Sequence, residues 1–224
     1  MSESLLVVLV MSYGYLVGSI PTAYLAARVK KGIDIRQYGS GNIGASNVTR
    51  YLGKPYFILV FAADIVIKGV FSAKLPEVLG LSLGHQVLAA LLAVIGHNWS
   101  VYLGFSGGRG IAAGIGGLLV LSWKLLLPCT GIFFLGWIIC RSTPLRVAIG
   151  LALLPLWALL LREPVQVLAF CVALLLLIML KRIMSNPGTA PPGLKWREMV
   201  LMRLLYDRDI PGGEEWVSRT PSER

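Results

Sequence analysis

Two glycine-rich turns hold the residues best suited to chemistry. The first runs Gly39, Ser40, Gly41, Asn42, Ile43, Gly44, Ala45, Ser46, Asn47, with Arg50 shortly after it. Glycines at 39, 41 and 44 let the backbone come close to a ligand and aim several N–H groups at one anion. Ser40, Asn42, Ser46 and Asn47 add neutral polar groups, and Arg50 offers a planar fork for phosphate oxygens. The pattern reads as a phosphate cradle. A flexible connection between helices would use the glycines but not the interleaved Asn, Ser and Arg.

The second turn begins at Gly96 and His97 and closes on Gly107, Gly108, Arg109 and Gly110, just before an apolar run. Glycines around one cation again suit close approach to an anion, and the helix that follows offers its N-terminal dipole. Arg109 alone would be an ordinary basic flank of a membrane span. Together with the first loop on one face of the membrane, it reads as part of an anion site. Both arginines are expected to serve a bound phosphate rather than folding.

Asp64 and Lys68 stand four apart inside an apolar run, so they share a helical face and are expected to face the bundle. They fit a structural ion pair and a supporting role at the site equally well. His85 lacks polar company and suits an interface. Cys129, Cys140 and Cys171 show neither disulfide nor zinc spacing. There is no Gly-x-Ser-x-Gly elbow, no His/Glu zinc pattern, and Tyr102 rather than Asp stands five residues after His97. No zinc site is suggested.

Polar groups this sparse need a scaffold, and the composition says which solvent it uses. Of 224 residues, 56% are apolar and 14% are charged, against about 25% charged in a soluble domain. Mean hydropathy is +0.73. Apolar runs predict about seven spans, over Leu5–Ala27, Pro55–Phe71, Leu81–Trp99, Ile111–Trp123, Leu125–Cys140, Leu145–Leu161 and Pro164–Leu180. The first run has no basic n-region before it and reads as a retained span.

Charge parity decides between six spans and seven. With seven, one side receives the basic residues of 28–54, Arg109, Arg141, Arg146 and all from Lys181 onward, while the other keeps Lys74, Lys124 and Arg162. The positive-inside rule then places the N-terminus outside and the C-terminus in the cytoplasm. The expected fold is therefore all-α, a polytopic integral membrane protein. Residues 1–186 form the membrane domain, and 187–224 form a cytoplasmic Pro/Gly linker with a helix near Leu194–Tyr206. That helix is expected either to lie in the interface, anchored by Trp196, or to pack on the cytoplasmic mouth of the bundle. The net charge of +10 sits in connections between spans, where it attracts anionic lipid and phosphorylated substrate rather than nucleic acid.

Three features, in order over the first half of the chain, resemble one family: the bacterial multi-span acyltransferases that move an acyl group from acyl phosphate to glycerol 3-phosphate. They are the glycine loop with Arg50, the pair Asp64 and Lys68 followed by Gly69, and Gly96-His97 with its Gly-Gly-basic-Gly turn. The resemblance implies lysophosphatidic acid as product, in phospholipid synthesis at the inner membrane, with the site facing the cytoplasm. It implies catalytic roles for Ser40, Arg50, His97 and Arg109. Gly39, Gly41, Asn42, Gly44, Ser46, Asn47, Gly107, Gly108 and Gly110 would bind substrate phosphate, with Asp64 and Lys68 in support. Acyl phosphate is already activated, so positioning and charge stabilisation would do most of the work, and the implied chemistry requires no metal or organic cofactor. His97 is the nearby side chain suited to proton transfer.

Two departures from the family pattern stand out. Arg109 replaces the usual Lys. After the last span the family shows His, then Asn-Ile, a basic pair and Gly-x-Glu. Here Lys181 and Arg182 match the basic pair, while Leu176, Met179 and Gly188 take the places of His, Asn and Glu. That segment keeps a non-catalytic lipid-binding paralogue open as an alternative. An anion or phosphate-ester transporter would want similar cytoplasmic residues, but also a repeat or discontinuous helices near the midplane, and the sequence shows sign of neither.

Overall fold

The computed structural model describes residues 2–140, 142–184 and 195–209. The regular elements among them are helices, with one isolated bridge between Ser100 and Ser106. The Pro/Gly linker of 187–194 lies outside the described residues. The helices are α1 (Glu3–Ser19), α2 (Thr22–Lys31), α3 (Ala45–Leu52), α4 (Lys54–Ala63), α5 (Phe71–Val78), α6 (Leu83–Asn98), α7 (Ile111–Ser122), α8 (Leu126–Ile139), α9 (Thr143–Leu160), α10 (Val165–Met184) and α11 (Trp196–Tyr206). A π-helical stretch, Asp64–Val70, joins α4 to α5, and a 3-10 turn, Trp123–Leu125, joins α7 to α8.

Five helical runs are long and apolar enough to cross a membrane: Glu3–Lys31, Lys54–Val78, Ile111–Ile139, Thr143–Leu160 and Val165–Met184; Leu83–Asn98 is apolar but shorter. Two of these runs contain breaks. The first span, expected over Leu5–Ala27, ends at Ser19, because Pro21 has no N–H to give and its ring crowds the preceding turn. The run Ile111–Ile139 breaks where Ser122 turns to extended geometry, between the expected fourth and fifth spans.

Side-chain bonds fix the helix directions. Gly14 lies against Ala89 and Gly18 against Ala93, so α1 and α6 run parallel. At Gly18 a Cβ would fall 2.2 Å from the Ala93 carbonyl oxygen, so a side chain there would force the two helices apart. The guanidinium of Arg146 in α9 donates to the Phe133 carbonyl of α8, and Cys129 approaches Gly150, so α8 and α9 are antiparallel. The Ser122 hydroxyl at the end of α7 donates to Glu163 in the α9–α10 turn, whereas Arg182 at the end of α10 donates to the Pro144 carbonyl at the start of α9.

Ala90, Leu154, Phe170, Leu174 and Ile178 form the apolar core between α6, α7, α9 and α10. The outer surface is also apolar, with Ile138 at 85% exposure and Leu135 at 65%, as expected of a bundle whose solvent is lipid. A second cluster, Ala23, Ala27, Ile35, Val48 and Val60, packs α2, α3 and α4 together at one end. It is this cluster that holds the first glycine loop.

Candidate active site

The loop is organised around one buried side chain. The Asn47 amide donates to the carbonyls of Ile35, Tyr38 and Asn42, and its Oδ1 accepts the Ser40 N–H at 3.3 Å. Gly39 and Gly41 take φ values of +56° and +69°, which a side chain would resist. Ser40 Oγ accepts the Asn42 N–H, and Asn42 Oδ1 is buried with no partner among the described residues. Asn47 is thus committed to loop architecture, whereas Ser46 and Arg50 point outward from α3. Gly44 precedes α3 in extended geometry.

Just before the loop, Asp34 caps the 3-10 turn Ile35–Gln37 by accepting the Arg36 N–H, and its carboxylate holds the Arg36 guanidinium at 2.7 Å. That hydrogen bond lowers the Asp34 carboxyl below the usual carboxylate range and raises Arg36, against the opposing effect of partial burial.

The second turn folds back on the end of α6. Gly108 N–H donates to the His97 carbonyl at 2.9 Å. A Cβ at Gly108 would fall 2.1 Å from His97 Nε2 and 2.8 Å from the Ile43 carbonyl. Glycine is therefore what lets His97, the second turn and the first loop meet. Gly107 is equally constrained by the His97 and Asn98 carbonyls, and Gly110, at φ +77°, by the Asn98 side chain. Ser100 Oγ donates to the Ser19 carbonyl, and the Tyr15 hydroxyl donates to the Trp99 carbonyl, pinning this corner to α1.

Asp64, Lys68 and His97 form one buried polar cluster. Lys68 Nζ lies 2.7 Å from Asp64 Oδ1 and 3.1 Å from His97 Nδ1. Asp64 Oδ1 also accepts the Thr22 hydroxyl at 2.6 Å. Asp64 and Lys68 side chains are each 2% exposed. Such a pair is tolerable in a bundle only when well bonded, and here it is. Both charges sit in the π stretch, a local geometry that often marks functional sites. Lys68, His97, Ile43, Pro21, Gly107 and Gly108 line a small cavity, so the second turn, Ile43 of the first loop and the lysine of the ion pair meet there.

Arg109, expected to serve a bound phosphate rather than folding, has a partner within the protein. It is 3% exposed, and its Nε donates to both carboxylate oxygens of Asp207, at 2.8 and 3.0 Å. Arg50 is exposed on α3, and its side chain makes no hydrogen bond or ion pair among the described residues.

The chain matches the family model described as glycerol-3-phosphate acyltransferase over residues 8–187. It belongs to that family. Glycerol-3-phosphate acyltransferase 5 of Dehalococcoides mccartyi is 36% identical over 222 residues, covering 96% of this chain and 94% of that protein. A glycerol-3-phosphate acyltransferase of Prochlorococcus marinus is 47% identical over 127 residues, 57% of this chain and 64% of that one. The crystal structure of PlsY (YgiH), an integral membrane glycerol 3-phosphate acyltransferase, in its glycerol 3-phosphate form, superposes with a TM-score of 0.73 at 31% identity. The superposition covers 79% of this chain and 88% of that one.

Within this acyltransferase family the final motif of the present chain takes on a different look. Leu176 is 63% exposed on the outer face of α10, so a side chain there points away from the site. Met179 packs with the apolar core. The residues of this helix end that face inward are Lys181 and Arg182. Lys181 Nζ sits 5.1 Å from the centre of the Trp99 ring, and Arg182 is tied to the Leu204 carbonyl of α11. Position 188 lies outside the described residues.

The sequence reading missed Thr22 and Asp207. Thr22 was visible only as a polar residue after Pro21, inside what read as a span. Asp207 lies beyond the residues the family model matches, and nothing local marks it as a partner of Arg109. Among the described residues, α11 packs against α9 and α10. Arg203 donates to the Ile183 carbonyl and to Asp209, while Trp196 stays exposed.

Proposed function

We propose that the protein transfers an acyl group from acyl phosphate to the 1-hydroxyl of sn-glycerol 3-phosphate, giving lysophosphatidic acid for phospholipid synthesis. The observation that carries this reading is the meeting of both glycine turns with Lys68 and His97 at one cavity, in a chain of the glycerol-3-phosphate acyltransferase family. The glycerol hydroxyl oxygen attacks the acyl carbonyl carbon, the carbon–oxygen bond to phosphate breaks, and phosphate leaves with the hydroxyl proton. Acyl phosphate is a mixed anhydride, so no protein nucleophile is required. Ser40, the glycines of both turns, Arg50 and Arg109 bind and orient the phosphates and steady charge as one departs.

Seven crossings, with α1, α4–α5, α6, α7, α8, α9 and α10 alternating, are consistent with the helix directions. The short α7 and α8 then count as separate passes, as the antiparallel contact of α8 with α9 supports. The N-terminus lies outside. The site, α11 and the rest of residues 187–224 face the cytoplasm at the bacterial inner membrane, where anionic lipid and phosphorylated substrates meet the basic surface.

Purified protein given acyl phosphate and radiolabelled glycerol 3-phosphate should form lysophosphatidic acid with equimolar phosphate release, and acyl-CoA should not substitute. Absence of product with either donor overturns the enzyme reading; product from acyl-CoA alone overturns the donor.

A further inference from the structure

We infer that His97 works as a hydrogen-bond donor to a substrate phosphate oxygen through Nε2–H, not as a base, and that Lys68, Asp64 and Thr22 are the positioning residues that impose this role. The argument is one of donors and acceptors. An ammonium has three N–H donors and no acceptor. Lys68 is paired to Asp64 at 2.7 Å, so it is an ammonium, and it reaches His97 Nδ1 at 3.1 Å. Nδ1 must therefore present its lone pair, and the ring proton resides on Nε2. The other candidate for an Nδ1–H, Asp64 Oδ2, is 3.8 Å away, beyond hydrogen-bond reach. An imidazolium would set an N–H against an ammonium. Asp64 cannot turn to relieve this, since Thr22 and Lys68 both hold its Oδ1.

On the far side of the ring, Nε2 faces the cavity at the Gly108 backbone. Among the described residues no hydrogen-bond partner is recorded for Nε2. A fixed donor beside a glycine turn, in a wall that Lys68 also lines, suits an oxyanion and offers no lone pair to a hydroxyl. The oxyanion is a phosphate oxygen of acyl phosphate or of glycerol 3-phosphate, an assignment that rests on the acyl-transfer reading. The tautomer itself does not.

The test separates the two. The chain has two histidines, so His85→Gln leaves His97 as the lone imidazole for ¹⁵N NMR of the full-length protein in detergent. Nδ1 should read as a bare acceptor and Nε2 as protonated, and Lys68→Met should abolish that preference. An Nδ1–H tautomer or an imidazolium in the resting protein overturns the inference whatever the activity. In the acyl-transfer assay, His97→Gln keeps an N–H near Nε2 and should stay within about tenfold of wild type. His97→Asn and His97→Ala lack it and should fall on the order of a hundredfold, the scale of one oxyanion donor. The KM that rises in His97→Asn names the substrate whose phosphate is held. A folded His97→Gln as impaired as His97→Asn overturns the donor role. A wild type without activity sinks the acyl-transfer reading and leaves the tautomer standing.

Discussion

Asp207 accepts both hydrogen bonds from Arg109 Nε, at 2.8 and 3.0 Å, across 98 positions of sequence. It does so from the left-handed C-cap of α11, an element beyond residues 8–187. The cation of the Gly-Gly-Arg-Gly turn is thus oriented by a helix that the family model does not match. Asp207→Ala should lower kcat/KM about tenfold through misplacement of Arg109 and cost about 1.5–3 kcal/mol of stability for a lost charge-assisted hydrogen bond. Asp207→Glu should recover part of both. Steady-state assays with thermal unfolding in detergent check this, and unchanged values for the alanine variant would disprove it.

Arg50 and Arg109 should now separate in their responses. Arg50 is exposed on α3, so Arg50→Ala should leave thermal stability nearly unchanged while cutting kcat/KM on the order of a hundredfold. Arg50→Lys should remain impaired, because an ammonium cannot reproduce the planar fork. Arg109→Ala should lose activity on a similar scale and also stability, since Asp207 is left without its partner. Wild-type turnover in Arg50→Ala would remove that residue from the phosphate site.

The ion pair inside the bundle makes its own prediction. Lys68→Met or Asp64→Asn alone leaves a charge or its hydrogen-bond partner uncompensated and should destabilise by about 3–5 kcal/mol. The double variant should regain much of that stability and little activity. Additive losses in thermal unfolding would mean that the two residues do not act as a pair.

The proposed topology can be read with single cysteines on a background lacking Cys129, Cys140 and Cys171. Gln37→Cys and Leu205→Cys should be labelled from the cytoplasmic side, and Leu79→Cys, in the α5–α6 turn, from the other. Labelling of Gln37→Cys and Leu205→Cys from opposite faces would discard the seven-crossing scheme.

Much of this could be read from the sequence because glycine and charge are conspicuous in an apolar chain. Gly107 and Gly108 read as a close approach to an anion, and in the structure their backbone lies against His97. Trp123, Lys124 and Pro128 mark a turn; a 3-10 turn stands at Trp123–Leu125, while Pro128 lies inside α8. What stayed hidden had no local signature. Ser46 and Asn47 lie in the first turn of α3, a helix of 8 residues too short for its period to stand out, so nothing distinguished the inward Asn47 from the outward Ser46. The apolar run Leu5–Ala27 masked the break at Pro21, although the proline was plain to see. Matching Leu176 to a functional position used letters, while its outward aspect depends on where α10 packs. The link between Arg109 and Asp207 depends on the whole bundle closing first.

The π stretch at Asp64–Val70 has a consequence for the faces that the helix presents on either side of it. A π turn closes one residue later than an α turn, so the stretch sets the phase between α4, which leads into the ion pair, and the tight seam where Gly69 meets Gly116. Wound as a regular α-helix with no residue lost, the stretch would rotate everything beyond it by about 100°, one α-helical step. Every side chain of the site would still be present, but Gly69 would no longer meet Gly116, and Lys68 would no longer meet His97. In this stretch the winding of the helix is itself part of the site, a feature that a comparison of residue identities alone would overlook.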